Sequence, residues 1–230
     1  MTKRNLILSA AVAATTTLSA GNAIAVDGLS ANVGVVSDYV FRGVVQNLSA
    51  AGNGGFDYEH ESGFYAGIWA INIEGQAGLG GGAGGLEIDT YAGYGGEMND
   101  ISYSIGFTHY GYTGDFDSSY DEVNLGAGYG GFSLDVALGT HEALVSTVPD
   151  DDYTFVSLGY STGPFYASYN TFSGDWGGDY YEVGMTTDIG GAEAGLSFVK
   201  GNPDENFTGI GTNTSEGTTM IFSLSKSFDL

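Results

Sequence analysis

The sequence predicts an all-β fold, a transmembrane antiparallel up-and-down β-barrel of about twelve strands, and three observations carry that prediction. Stretches of roughly ten residues alternate apolar and polar side chains along the chain, the period-two pattern needed by a strand with lipid on one face and a polar lumen on the other. A leader of removable form precedes them, and the final alternating segment ends on Phe228-Asp229-Leu230.

The leader comes first in order. Met1-Thr2-Lys3-Arg4 is basic, Leu6 to Leu18 is apolar and small, and Ala23-Ile24-Ala25 has the small-x-small form of a signal peptidase site. Cleavage after Ala25 is expected, which divides the chain into a signal peptide at 1–25 and a barrel domain at 26–230. A retained anchor helix needs about 20 apolar residues, and Thr15-Thr16-Thr17, Ser19, Gly21 and Asn22 interrupt the run too early. With no Cys in the chain, stability is expected from closure and packing rather than from disulfides. Lys3 and Arg4 lie in the leader and all 28 acids follow it, leaving three Lys and Arg and a net charge of −25 on the mature chain. Such a surface repels nucleic acid and favours cations.

Parity then separates the strands. Leu29, Ala31, Val33, Val35, Tyr39 and Phe41 share one face, against Asn32, Asp38 and Arg42 on the other. Ile101, Tyr103, Ile105 and Phe107 oppose Ser102, Ser104 and Thr108; Val123, Leu125, Ala127 and Tyr129 oppose Glu122 and Asn124; Phe132, Leu134, Val136 and Leu138 oppose Ser133 and Asp135. Tyr181, Val183 and Met185 oppose Glu182 and Thr186, Ala194, Leu196 and Phe198 oppose Glu193 and Ser197, and Met220, Phe222 and Leu224 oppose Ser223 and Ser225. No helical period competes with these assignments.

Connection lengths predict the topology. Tight turns are expected at Glu61 to Gly63, Gly95 to Asp100, Gly130-Gly131, Ser161 to Pro164 and Asp188 to Gly191. Longer loops are expected at Arg42 to Asn53, Glu74 to Gly85, Gly111 to Ser119, Thr140 to Asp152, Phe172 to Asp179 and Gly201 to Gly217. Alternation of short and long connections is the periplasmic-turn and extracellular-loop asymmetry of outer-membrane barrels, with both termini in the periplasm. The count of twelve includes a short strand at Gly55 to His60; a ten-strand barrel with this segment in an external hairpin is the alternative. Aromatic pairs near strand ends, Tyr91/Tyr94, Tyr110/Tyr112, Tyr129/Phe132 and Tyr180/Tyr181, are expected to form girdles at the membrane interfaces. The C-terminal strand has the form of a signal for the barrel-assembly machinery, with Leu230 where Phe is commoner.

The run Leu29-Ser30-Ala31-Asn32-Val33-Gly34-Val35-Val36-Ser37-Asp38-Tyr39-Val40-Phe41-Arg42-Gly43, with Gly55 to Gly67, Glu87 to Tyr94 and the Ser225-Lys226-Ser227-Phe228-Asp229-Leu230 ending, resembles the TorF porin family of Gram-negative bacteria. The resemblance covers most of the mature chain, and its strongest motifs precede residue 95. It implies an outer-membrane barrel with a transport role and brings no substrate or site residues.

The expected pore-lining residues are Asp38, Arg42, Glu87, Asp89, Glu122, Asp135, Glu182 and Glu193, with Asp57 and Glu59 on the same parity. Carboxylates opposed by one arginine favour cations over anions in a water-filled lumen; the bland alternative is a narrow, hydrogen-bonded interior. Asp38 and Arg42 are about 13 Å apart along an extended strand, so Arg42 is expected to meet acids of neighbouring strands.

The loop acids Asp115, Asp117, Glu142, Asp150, Asp151, Asp152, Asp175, Asp179, Asp204, Glu205 and Glu216 read first as a solvated rim and second as a surface that divalent cations bridge to lipopolysaccharide. Asp115-Phe116-Asp117-Ser118-Ser119-Tyr120-Asp121 lacks the Gly and the Glu of a calcium loop. Gly80, Gly82 and Gly85 match a nucleotide-binding pattern by spacing, but a strand follows where that motif needs a helix. His141 is within reach of Asp150 to Asp152, which is minimal acid-base equipment. The sequence therefore predicts a porin-like passive channel for small polar or cationic solutes in outer-membrane lipid, with no cofactor, metal site or catalytic residue. A non-conducting or cation-bridging structural barrel is second, and a hydrolase third.

Overall fold

A computed structural model describes residues 27–47, 49–74, 84–114, 116–143, 147–202 and 218–230. The leader, with its cleavage site, and most of the predicted loops Glu74 to Gly85 and Gly201 to Gly217 lie outside the described residues. The strands are β1 (Leu29–Val36), β2 (Tyr39–Phe41), β3 (Val44–Asn47), β4 (Ala51–Glu59), β5 (Phe64–Ile73), β6 (Gly85–Met98) and β7 (Ile101–Tyr112). They continue as β8 (Tyr120–Tyr129), β9 (Phe132–His141), β10 (Asp151–Thr162), β11 (Phe165–Gly174), β12 (Asp179–Asp188), β13 (Glu193–Asn202) and β14 (Thr218–Asp229).

Twelve of these strands, all but β2 and β3, close into an antiparallel barrel in which sequence neighbours pair and β14 returns to β1. Closure is complete: Ser30 lies opposite Asp229 and Val36 opposite Ser223 on one side of β1, and Leu29 opposite Tyr58 and Val36 opposite Ala51 on the other. In hydrocarbon every strand edge must be paired, so a membrane sheet has to close on itself. The segment around Gly55 is thus a wall strand, longer than the six residues expected of it, and the twelve-strand count holds.

The turns follow from their residues. Asn99 and Asp100 have φ of 53° and 64°, and Gly130 and Gly131 have 57° and 91°, the paired positive values of two-residue hairpins whose twist matches that of strands. Tight connections and both barrel termini share one end, where Leu230 N–H donates to Leu29 C=O at 3.0 Å. At the other end β11 runs to Gly174, so the expected loop from Phe172 shrinks to residues 175–178.

The alternating faces sort as the parity requires. Leu125, Leu134, Leu158, Val183 and Phe222 are exposed to the surroundings of the barrel, and Thr108, Glu122, Asn170 and Ser197 are buried inside it. Lumen tyrosines cover glycines on the neighbouring strand: a Cβ at Gly139 would stand 2.2 Å from the Tyr153 ring, so the wall holds the ring only because that Cβ is missing.

The aromatic pairs divide between the faces, which corrects the girdle expectation. Tyr94, Tyr129, Phe132 and Tyr181 face outward, but Tyr110 and Tyr180 are buried in the lumen. The first strand is also corrected. It ends at Val36, and the bend at Ser37-Asp38 carries Tyr39 and Phe41 away from the lipid face that they were expected to share with Val33 and Val35. Residues 39–47 are not the end of a wall strand and an external loop; they form a hairpin inside the barrel.

Two outcomes test this architecture. Lysine at Leu125 or Leu158 should lower folded stability in vesicles by about 2–4 kcal/mol, as expected for charge on a lipid face near the midplane, while lysine at Asn124 or Ser157 should disturb it less; heat-modifiable gel mobility reports the folded fraction. A cysteine at Val148 should react with an impermeant maleimide on intact cells and one at Gly130 should not, and the opposite pattern would invert the barrel.

Candidate functional site

The site is the lumen together with the hairpin it encloses. Arg42-Gly43 is a two-residue turn, flanked by Phe41 opposite Val44, with φ of 47° at Arg42 and 83° at Gly43. Glycine is required at the second position for space as well as for φ, because a Cβ there would lie 2.8 Å from the Tyr180 ring of β12. Val44, Val45, Gln46 and Asn47 are all buried, so β3 has no solvent face. Tyr39, Trp69, Ile71 and Ile73 pack together on the β5 side, and Phe41 meets the Tyr110 ring at 5.4 Å on β7. The hairpin therefore spans the lumen from β5 to β12.

Its tip ends in an ion pair. The Arg42 guanidinium donates through Nη1 and Nη2 to the two oxygens of Glu122 on β8, with 2.8 Å at Nη2. The wall holds that carboxylate from behind: Tyr153 Oη donates at 2.7 Å, Asn124 Nδ2 at 2.9 Å and Tyr110 Oη at 3.1 Å. The Phe155 ring lies 4.3 Å from the guanidinium carbon and Phe41 5.0 Å. Glu122 is 1% exposed, so this is a desolvated pair with a cation–π contribution of about 2 kcal/mol at such sites. A second contact holds the hairpin base, where Tyr39 Oη donates to Glu87 on β6.

The structure gathers only some of the expected residues. Arg42 and Glu122 meet directly. Glu87 is fully buried under Tyr39, and Asp89, 6% exposed, lies two residues further along the same face, opposite Trp69. Asp38, Asp135 and Glu182 line a cavity of about 490 Å³ between hairpin and wall, together with Ser157, Ser168 and Ser223. Glu182 accepts from Tyr166 at 2.8 Å and Asp38 from Ser37 at 2.9 Å. Glu193 starts β13 at the tight-turn end, opposite Asp188, and is outside the set that lines the cavity. Asp57 accepts from Asn32 at 2.9 Å and from Tyr91. Of the other basic side chains among the described residues, Lys200 is exposed, and Lys226 lies over Phe228 at 5.4 Å on the outer side.

Sequence reasoning missed the hairpin, and two signals for it were present. Val40-Phe41 and Val44-Val45 flank an x-Gly pair, the pattern of a tight hairpin. In β5, Phe64 and Ile68 face out while Trp69, Ile71 and Ile73 face in, so a strand apolar on both faces announces apolar matter inside the barrel.

His141 sits at the loop end. Its Nε2 lies 2.7 Å from Ser118 Oγ and 3.1 Å from Asp117, and its Nδ1 lies 3.9 Å from Asp151. The Ser118 hydroxyl donates its one proton to the Glu142 carbonyl, so His141 Nε2 must be the donor toward Ser118. A nucleophile's base needs a free lone pair at that nitrogen; here the group ties two loops together, with Tyr120 stacked on the imidazole at 4.2 Å. His109 pairs with Asp121 at 2.8 Å on the outer face. Among the described residues no group of three or more His, Asp and Glu is arranged to hold a metal ion.

Solved structures give the fold a setting. One from a study of the in-meso crystallization of membrane proteins is similar with a TM-score of 0.55 and 11% identity, over 88% of this chain and 83% of that one. A BenF-like porin from Pseudomonas fluorescens Pf-5 gives a TM-score of 0.40 and 12% identity over 89% and 65% of the two chains. OccK2 (OpdF) of Pseudomonas aeruginosa gives 0.41 and 11% over 88% and 67%. No curated protein matches the chain. A family profile matches residues 20–228, and by that match this closed twelve-stranded barrel belongs to Gcw_chp, a family described as bacterial protein of unknown function.

Proposed function

We propose that the protein is a passive outer-membrane channel for small polar or cationic solutes, with the β2–β3 hairpin as its constriction. The observation that carries this reading is the sign of the interior. Among the described residues Asp38, Asp57, Asp135 and Glu182 face the lumen, and its one arginine, Arg42, is already neutralised by Glu122. Carboxylates on a closed wall lower the energy of cations and raise that of anions. The resemblance of residues 29–43 to the TorF porin family points the same way, and residues 1–25 are the leader such a protein would lose on export.

The extent of the hairpin favours a second reading. Apolar and aromatic side chains from β5, β7, β8, β10, β11 and β12 pack around it, as expected of a non-conducting structural barrel whose acidic rim divalent cations link to lipopolysaccharide.

Planar-bilayer recordings in a salt gradient separate the two. The channel reading expects a reversal potential of cation-selective sign, a weaker preference in Glu182→Gln and Asp135→Asn, and a higher conductance when residues 39–47 are replaced by a short Gly-Ser turn. A folded barrel silent with and without the hairpin would support the structural reading, and an anion preference would overturn the electrostatic argument.

A further inference from the structure

The contacts of Arg42 describe a receptor as well as a latch. Everything that holds its guanidinium, apart from Phe41 of the hairpin itself, belongs to the wall: the Glu122 carboxylate, the Tyr110, Tyr153 and Asn124 donors that orient it, and the Phe155 face. Three hydrogen bonds to Glu122 come from β7, β8 and β10 and none of these donors is on the hairpin, an arrangement that favours a preorganised wall side. A carboxylate that offers both oxygens, beside a ring that covers the guanidinium, is complementary to a planar fork of N–H groups rather than to the point charge of an ammonium.

The occupant is less well matched than its pocket. Arg42 binds from a left-handed backbone position that costs a non-glycine residue energy, and its Nε is buried without a hydrogen-bond partner among the described residues. A free solute does not carry the backbone burden. The cavity of about 490 Å³ reaches Arg42, Tyr110, Asn124 and Phe155, which is room for a small organic cation beside the pocket.

We propose that Glu122, Tyr110, Tyr153 and Phe155 form a guanidinium-binding site in the barrel wall, occupied in cis by Arg42, and that guanidinium-bearing solutes compete for it and release the hairpin tip. Binding stands on this geometry alone; release as a transport step rests on the channel reading above.

Methylguanidinium and methylammonium, titrated at equal ionic strength into the purified full barrel in detergent and followed by isothermal calorimetry, test the site. In Arg42→Ala the vacated pocket should bind methylguanidinium saturably and about tenfold or more tighter than methylammonium. Glu122→Gln added to Arg42→Ala should abolish that difference. The wild type should need a higher concentration, because Arg42 competes from an effective concentration of about millimolar or above. Should Arg42→Ala lack the heat-modifiable band of a folded barrel, Arg42→Lys replaces it, since an ammonium cannot fork and methylguanidinium should then raise the melting temperature more than methylammonium does. Equal affinity for the two cations, or a preference that survives Glu122→Gln, would overturn the site. Binding by the Glu122-dependent route with no rise in wild-type bilayer conductance would overturn release and leave the channel reading to its own test.

Discussion

Closure of the sheet is the constraint on which the rest of this protein depends. A strand in hydrocarbon has no water for its N–H and C=O groups, so β1 must pair with both β4 and β14, and the chain must return to where it began. Strand number and shear then set the width of the interior. Twelve strands enclose more space than one layer of inward side chains fills, and the lumen tyrosines, resting on glycines such as Gly139, narrow the space without filling it. Part of what remains is taken by residues 39–47, which bring their own paired strands inside so that their backbone polar groups are not left bare.

Charge decides where that insert stops. Among the described residues Arg42 is the one Lys or Arg aimed into the lumen, and a buried guanidinium is tolerated only with a partner that matches it in charge and shape. Removing one member of such a pair typically costs about 3–5 kcal/mol because the other stays buried. Val44 and Val45, each contributing about 1.5–3 kcal/mol when fully buried, add a force without direction. The fork of hydrogen bonds to Glu122 supplies the direction, and the turn accepts a positive φ at Arg42 to reach it.

The same arrangement divides the lumen by chemistry. Around the hairpin the wall is aromatic and apolar, with Trp176 stacked on Tyr153 at 4.1 Å and Phe155 against Phe172 at 5.0 Å. Away from it the wall is serine, asparagine and carboxyl groups around an open cavity. A cluster of packed rings thus lies beside a polar chamber, with the hairpin between them. The loop end is tied separately, by His141, Asp117 and Ser118.

How much of this was legible in the sequence follows from the range of each interaction. Alternation is local, and it located β7 to β9 and β12 to β14 and turned Glu87, Glu122, Asp135 and Glu182 inward, because parity along one strand is enough to assign a face. Turn chemistry is also local, and Gly130-Gly131 marked a hairpin by itself. Period two cannot say when a strand leaves the sheet: Tyr39 and Phe41 continue the parity of Val33 and Val35, yet the bend at Ser37-Asp38 sends them to the opposite environment. Nor can it tell an aromatic residue at the membrane surface, such as Tyr181, from one in the lumen, such as Tyr180, since both ends of a strand and both of its faces accept a ring. Strand parity, turn residues and composition were enough for a closed, outward-apolar barrel with an acidic interior. Which acid Arg42 meets was decided only by the tertiary structure, because Glu122 lies 80 residues away and only sheet closure brings them together.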